Sequence, residues 1–287
     1  MKQRPTFPAQ LDATLAKNRP SAQGPFLSRA APLVKPASAT HSLAAVSVAV
    51  KSNVVKHGSS LHEPHGVGMD SSAVRTRMVQ KLAEGGVRDP LVLTAMGAIE
   101  RHRFVDSALA NQAYEDTSLP IGLGQTISKP GVVSRMIELM RNGATGRLGR
   151  VLEIGTGCGY QAAVLSMVAD EVYSIERLRG LHDKARENLR LLRLHNLHLL
   201  FGDGMLGYAK GAPYAAIIAA AGGEAIPQAW VDQLAMGGRL VAPVAQGGTS
   251  GGVAGAQALM VIDKTPQGIR QTVLEAVHFV PLKSGVA

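Results

Sequence analysis

The spacing of apolar positions changes along the chain, and the changes mark out its elements. Residues 1–70 show no sustained period and are rich in Pro, Ala and Ser, the pattern of a disordered extension. Order is expected from Ser71. Val74, Met78 and Leu82 recur at helical spacing, and Gly85-Gly86 ends that helix. Asp89-Pro90 is a start signal, a capping side chain followed by proline at the first helical position. Val92, Leu93, Met96 and Ile99 then form a second buried face. The stretch DTSLPIGLGQTISKP reads as a loop, and its final Pro130 opens a helix carrying Val133, Met136, Ile137 and Met140.

From Arg150 the pattern becomes short apolar runs alternating with amphipathic helices. Strands are expected at 151–154, 171–176, 197–201, 214–220 and 239–244. Helices are expected after Gly159, over the face Leu178, Leu181, Ala185, Leu189 and Leu192, and at 227–235. Two further strands, 258–263 and 273–282, have no helix between them and should pair as a hairpin. Alternating strands and helices place a parallel sheet between two helical layers. The expected fold is therefore α/β: a doubly wound, mostly parallel sheet with an N-terminal helical cap and a C-terminal antiparallel edge hairpin. The glycine-rich 247–255 lacks the Lys-Ser/Thr ending of a phosphate loop and reads as a flexible connection.

Composition narrows the function classes. The core must be mostly aliphatic, because aromatic residues make up only 4% of the chain. The formal charge of +9 suggests nucleic acid, but residues 1–70 carry a net +5 of it, so the excess lies largely outside the ordered part. The single cysteine, Cys158, forbids an intrachain disulfide and fits a reducing compartment. No apolar run reaches the ~18 residues of a transmembrane helix. His57, His62 and His65, and separately His195 and His198, lack the spacing of a metal site, and no metal is expected.

The chemistry centres on VLEIGTGCGYQ at 151–161. Gly155 and Gly157 fit a dinucleotide fingerprint, but its third position is Tyr160 and the glycine comes one residue early, at Gly159. Glu153 lies in the preceding strand. Glu176 ends the second strand, and its carboxylate suits the two hydroxyls of a ribose. Asp203, in the GDG after the third strand, can accept from an exocyclic amine such as that of adenine, with Gly204 beside it. Three polar anchors after three successive strands make a nucleoside site. Cys158 reads as a small loop residue, and Trp230 as packing on the sheet.

The glycine loop resembles the first motif of S-adenosylmethionine-dependent methyltransferases of the doubly wound class. FVDSALANQAYEDTSLPIGLGQTIS (104–128), VLEIGTGCGYQAAVLS (151–166), VYSIER (172–177), GDG (202–204), IPQAW..QLAMGGRLVAPV (226–244) and FVPLKSG (279–285) together resemble the protein-L-isoaspartate (D-aspartate) O-methyltransferase family over about residues 72–287. The first segment discriminates, because generic methyltransferases lack it. The resemblance implies a class I methyltransferase-like fold, and with the pattern above it gives a basic Pro/Ala/Ser-rich extension at 1–70, a helical cap with substrate and cofactor loop at 71–145, and an S-adenosylmethionine-binding domain at 146–287. It implies methyl transfer to the free α-carboxylate of L-isoaspartyl, and also D-aspartyl, residues in damaged proteins and peptides. The methyl ester then collapses to a succinimide that opens partly to normal aspartate.

By resemblance, the Ser128 hydroxyl lies near the transferable methyl and orients the substrate carboxylate. Read from the residues alone, Ser128 also suits the cap of the next helix. Thr126 and Ile127 should border the cofactor, and Glu153 should organise the glycine turn. Gly131 stands where the family usually carries His or Tyr, and Ala215 where it usually has aspartate. Lys129 either attracts the substrate carboxylate or faces water. The expected protein is a cytoplasmic monomer with no nucleic-acid or membrane partner. Methylation of RNA or a small molecule, and cofactor binding without turnover, are the alternatives.

Overall fold

The computed structural model describes residues 72–246 and 256–287. The expectations for 1–70, including His57, His62 and His65, and for 247–255 lie outside the described residues. Helix α1 (Ser72–Glu84) buries Met78 and Leu82. Helix α2 (Pro90–Ala98) starts where the sequence places it: Asp89 Oδ1 accepts from Leu91 N–H at 2.9 Å and Val92 N–H at 3.2 Å. A hairpin of β1 (Leu119–Gly122) and β2 (Gln125–Ile127) follows, then α3 (Pro130–Arg141).

That hairpin corrects the reading of 116–130 as a loop throughout. Gly122 pairs with Gln125, so the turn has two central residues, Leu123 and Gly124. Both have positive φ, at 52° and 69°. Two-residue hairpin turns of the primed type need positive φ at both positions and usually carry Asn-Gly or Asp-Gly. With leucine first and strands of four and three residues, the sequence lacks the usual hairpin signal.

The remaining chain alternates as expected: β3 (Leu148–Ile154), α4 (Tyr160–Val168), β4 (Ala169–Glu176), α5 (Arg179–Leu189), β5 (Leu197–Phe201), β6 (Tyr214–Ala219), α6 (Gln228–Gln233), β7 (Leu234–Ala245), β8 (Gln257–Thr265) and β9 (Gly268–Val277). The sheet order is β5-β4-β3-β6-β7-β8-β9. β3 to β7 run parallel, while β8 pairs antiparallel with β7 and β9 antiparallel with β8. The doubly wound sheet and its edge hairpin are thus present, with β9 starting five residues before the expected Val273 because Thr265 pairs with Gly268 across the turn.

Strand alternation sorts the core into two layers. Val151, Ile218 and Val241 pack with α2, α3 and α4 in one cluster, and Leu152, Ile217, Leu240 and Trp230 in the other. Each fully buried aliphatic side chain contributes about 1.5–3 kcal/mol. Strand order reverses between β3 and its neighbours β4 and β6. In an open α/β sheet the crevice at the carboxyl ends of the strands beside such a reversal receives ligands.

Candidate active site

Two cavities meet at that crevice. The first, about 250 Å³, is lined by the loop after β3, by Glu176 to Leu178 after β4, by Gly204, by Ala220-Ala221 after β6, and by the β1–β2 hairpin. The second, about 990 Å³, lies between α1, the start of α3 and the end of β9. Thr126, Ser128, Ala220 and Val280 line both. Ser128 therefore stands in the wall the two cavities share.

The first cavity suits a nucleoside. Gly155 and Gly157 have φ of +89° and +57° and present bare backbone, a conformation glycine adopts at little cost. Glu176 is 5% exposed. Its Oε2 accepts from Gly157 N–H and its Oε1 from Leu178 N–H, each at 2.9 Å. A carboxylate has about four acceptor sites, so each oxygen keeps one for a hydroxyl. Ile154, Ile175 and Leu181 supply apolar walls. These groups fit the adenosine part of S-adenosyl-L-methionine.

Three residues assigned to the cofactor site, among them Glu153 as organiser of the glycine turn, do not line this cavity. Glu153 is fully buried and receives a hydrogen bond from Ser174 Oγ, which also bonds Thr156 Oγ1 at 2.6 Å. It reaches the glycine loop only through that relay. Burial pushes its carboxyl up to about 8, with the Glu176 charge adding to the effect and the Ser174 hydrogen bond opposing it. Gly159 serves helix packing instead, since a Cβ there would lie 2.8 Å from Leu189 Cδ1. Asp203 holds backbone: Oδ1 accepts from Met205 N–H at 2.9 Å and Oδ2 from Gly285 N–H at 2.6 Å. Thr126, Ile127, Gly155, Gly157, Glu176 and Gly204 do line it.

Ser128 does not cap α3. Lys129 occupies the cap position without a side-chain bond. Asp116, from the preceding loop, takes the first-turn amide instead, its Oδ1 accepting from Gly131 N–H at 2.6 Å. Among the described residues none bonds the Ser128 hydroxyl. Lys129 Nζ stands 3.7 Å from Asp116 Oδ2, a solvent-exposed ion pair in the wall of the second cavity.

A family model described as protein-L-isoaspartate (D-aspartate) O-methyltransferase matches residues 73–287. The chain belongs to that family. A relative from Methylibium petroleiphilum named protein-L-isoaspartate O-methyltransferase is 54% identical over 283 residues, 98% of this chain and 96% of its own. One of the same name from Leptothrix cholodnii is 60% identical over 226 residues, 77% of each. A solved protein-L-isoaspartate O-methyltransferase aligns with a TM-score of 0.64 at 26% identity, over 74% of this chain and 67% of its own. A Plasmodium falciparum methyltransferase in complex with S-adenosyl-L-homocysteine shares the fold, with a TM-score of 0.62 at 23% identity over 73% of this chain and 98% of its own.

Within this isoaspartyl methyltransferase frame, several site residues carry no sequence signal of their own. Val280 to Lys283 line the first cavity, brought there by Leu282 N–H bonding Gly222 O and Gly222 N–H bonding Val280 O. The FVPLKSG motif marked that segment without assigning a role to its Lys283. Leu123, at the hairpin tip, lines the same cavity, and Lys184 Nζ ties the hairpin to α5 by donating to Ile121 O at 2.9 Å. Arg101, wholly buried, donates from Nε to Ala113 O at 2.7 Å and lies over the Tyr160 ring, bracing the segment that leads to Asp116. Cys158 lines the cavity, but burial pushes its thiol above the usual range, away from thiolate reactivity. Trp230 packs on the sheet as expected and also donates from Nε1 to Gly204 O at 2.8 Å. His198 stacks on Tyr173, and among the described residues no group of three or more His, Cys, Asp or Glu is placed to hold a metal.

Proposed function

We propose that Ser128 is the residue that holds the acceptor in the family's reaction, methyl transfer from S-adenosyl-L-methionine to the free α-carboxylate of an L-isoaspartyl residue. The observation that carries this is the unbonded Ser128 hydroxyl in the wall shared by the two cavities. The first cavity takes the cofactor, with Glu176 on the ribose hydroxyls and the Gly155–Gly157 backbone against its body. The larger second cavity takes the polypeptide. D-aspartyl residues are accepted through the same cavity.

The chemistry asks little of the protein beyond placement. A carboxylate with a reference pKa near 4 is already ionised at neutral pH and needs no general base. The cofactor supplies an electrophilic methyl on a positively charged sulfur. Ser128 donates its O–H to one acceptor oxygen and leaves the other free to attack. Holding two reactants in line supplies on the order of 7–11 kcal/mol of barrier reduction. The second cavity, about 990 Å³, has room for a polypeptide acceptor. The single free cysteine supports a cytoplasmic location.

The test pairs an isoaspartyl peptide with its normal aspartyl twin. Base-labile methyl esters are expected on the first and absent on the second; equal labelling of both would sink the reading. Ser128→Ala should lower kcat roughly ten- to hundredfold, the worth of one hydrogen bond to a charged group. Cofactor affinity, measured by calorimetry, should stay unchanged. Undiminished turnover would remove Ser128 from the mechanism.

A further inference from the structure

Gln161 carries a polar group that the fold leaves unused. It is the second residue of α4, lines the first cavity and is 7% exposed. Its Nε2 is buried and has no hydrogen-bond partner among the described residues. The Glu153 carboxyl adjoins it, and the amide favours the charged form of that acid. No well-formed hydrogen bond joins the two, because Glu153 Oε1 is buried without a partner as well. Buried polar groups in native proteins are nearly always paired, so an unpaired amide on a ligand cavity points to an acceptor on the ligand.

The cavity crosses the strand ends in sheet order. Gly204 follows β5, Glu176 ends β4, the glycine loop and Gln161 follow β3, and Ala220 follows β6. The ribose is assigned to Glu176, and the methyl to Ser128 in the wall shared with Ala220. The segment after β3 is then left for the third arm on the cofactor's sulfur, its amino-acid chain. The other hydroxyl side chains of that segment are committed, Thr156 Oγ1 to Ser174 Oγ at 2.6 Å and the Tyr160 hydroxyl to Met96 Sδ at 3.7 Å. Burial pushes the neighbouring Glu153 carboxyl up to about 8, so at neutral pH that acid offers the amide no charge.

We propose that Gln161 is a cofactor-binding residue whose side-chain N–H donates to the α-carboxylate of S-adenosyl-L-methionine. The proposal rests on the assignment of the first cavity to the cofactor. The amide then reads the part of the cofactor that distinguishes it from other adenosine compounds.

The experiment uses the full chain with Gln161→Met, which keeps the length of the side chain and removes both polar atoms. Titration calorimetry compares two ligands with the same adenosine: S-adenosyl-L-homocysteine, which has the amino-acid chain, and methylthioadenosine, which lacks it. The variant should bind the first roughly ten- to hundredfold more weakly, the worth of one hydrogen bond to a charged group, and the second as the parent does. Equal weakening of both, or of neither, overturns the proposal. So does the same split appearing with Lys283→Met in place of Gln161→Met, since Lys283 is a cation on the same cavity. The urea midpoint of the ligand-free Gln161→Met enzyme should not fall, because an apolar group in place of an unpaired buried amide removes a desolvation cost. A lowered midpoint with an unchanged ligand preference makes Gln161 a packing residue and overturns the proposal. Glu176→Gln run in parallel keeps the two assignments apart. It should weaken both ligands, and if it weakens neither, the cavity assignment fails; a Gln161→Met variant that binds both as the parent does removes Gln161 alone.

Discussion

Glu176 does two jobs with one carboxylate. It fastens the glycine loop through Gly157 N–H and the start of α5 through Leu178 N–H, and it faces the first cavity. A glutamine in its place has one acceptor oxygen instead of two, so its NH₂ would confront one of those backbone N–H groups. Glu176→Gln should therefore weaken S-adenosyl-L-methionine binding roughly ten- to hundredfold, the loss of one or two charge-assisted bonds, as read by titration calorimetry. An unchanged Kd would place the ribose elsewhere. The acid was visible in the sequence because a carboxylate ending the second strand has a known geometric meaning. Asp203 was equally visible, but Gly285, 82 positions away, takes one of its oxygens. Sequence spacing registers a carboxylate but not which backbone amide the fold will bring to it.

At the scale of elements, helix α2 is tied to the end of α3 by one buried arginine. Arg141 Nε donates to Asp89 Oδ2 at 2.6 Å, and the two side chains are 1% and 9% exposed. The same guanidinium bonds Gly146 O and Ala144 O. Asp89 thus caps α2 with one oxygen and anchors α3 with the other. Arg141→Met would leave that carboxylate buried without its partner and strand two carbonyls. Breaking a buried pair from one side costs about 3–5 kcal/mol, so the urea midpoint should drop with no change in slope. The start of α2 was legible from Asp89-Pro90, a local signal. Its anchor was not, because Arg141 is one arginine among many in the chain and only the crossing of α2 and α3 singles it out. The β1–β2 hairpin stayed hidden for a related reason: tertiary contacts such as Lys184 to Ile121 O hold a short turn that its residues alone do not favour.

For the whole molecule, the buried Glu153 makes stability depend on pH in an unusual direction. Its folded-state pKa of about 8 lies above the free value of 4.5. Below 4.5 both folded and unfolded states hold the proton, and the stability is fully present. Between 4.5 and 8 only the folded state holds it, so stability falls as pH rises through that window. Glu153→Gln keeps the shape and removes the titration. Between pH 5 and 8 the parent should lose on the order of a few kcal/mol that the variant keeps, measured by denaturant unfolding at several pH values. Parallel curves for the two proteins would show that Glu153 does not titrate there.

The sequence alone determined the winding of the sheet, which rests on hydrophobic period and local caps, and its resemblance over the glycine loop and the 104–128 segment pointed to the cofactor and the family, because each of these is a near-neighbour property of contiguous residues. The tertiary structure decided which residues share the site. It brought the 280–283 segment over the first cavity, withdrew Glu153, Gly159 and Asp203 behind its wall, and set Asp116 on the amino end of α3 so that the Ser128 hydroxyl stands unbonded between two cavities. Those outcomes depend on contacts between segments far apart in the chain, and a polar side chain's role follows from the partner it meets in the folded state.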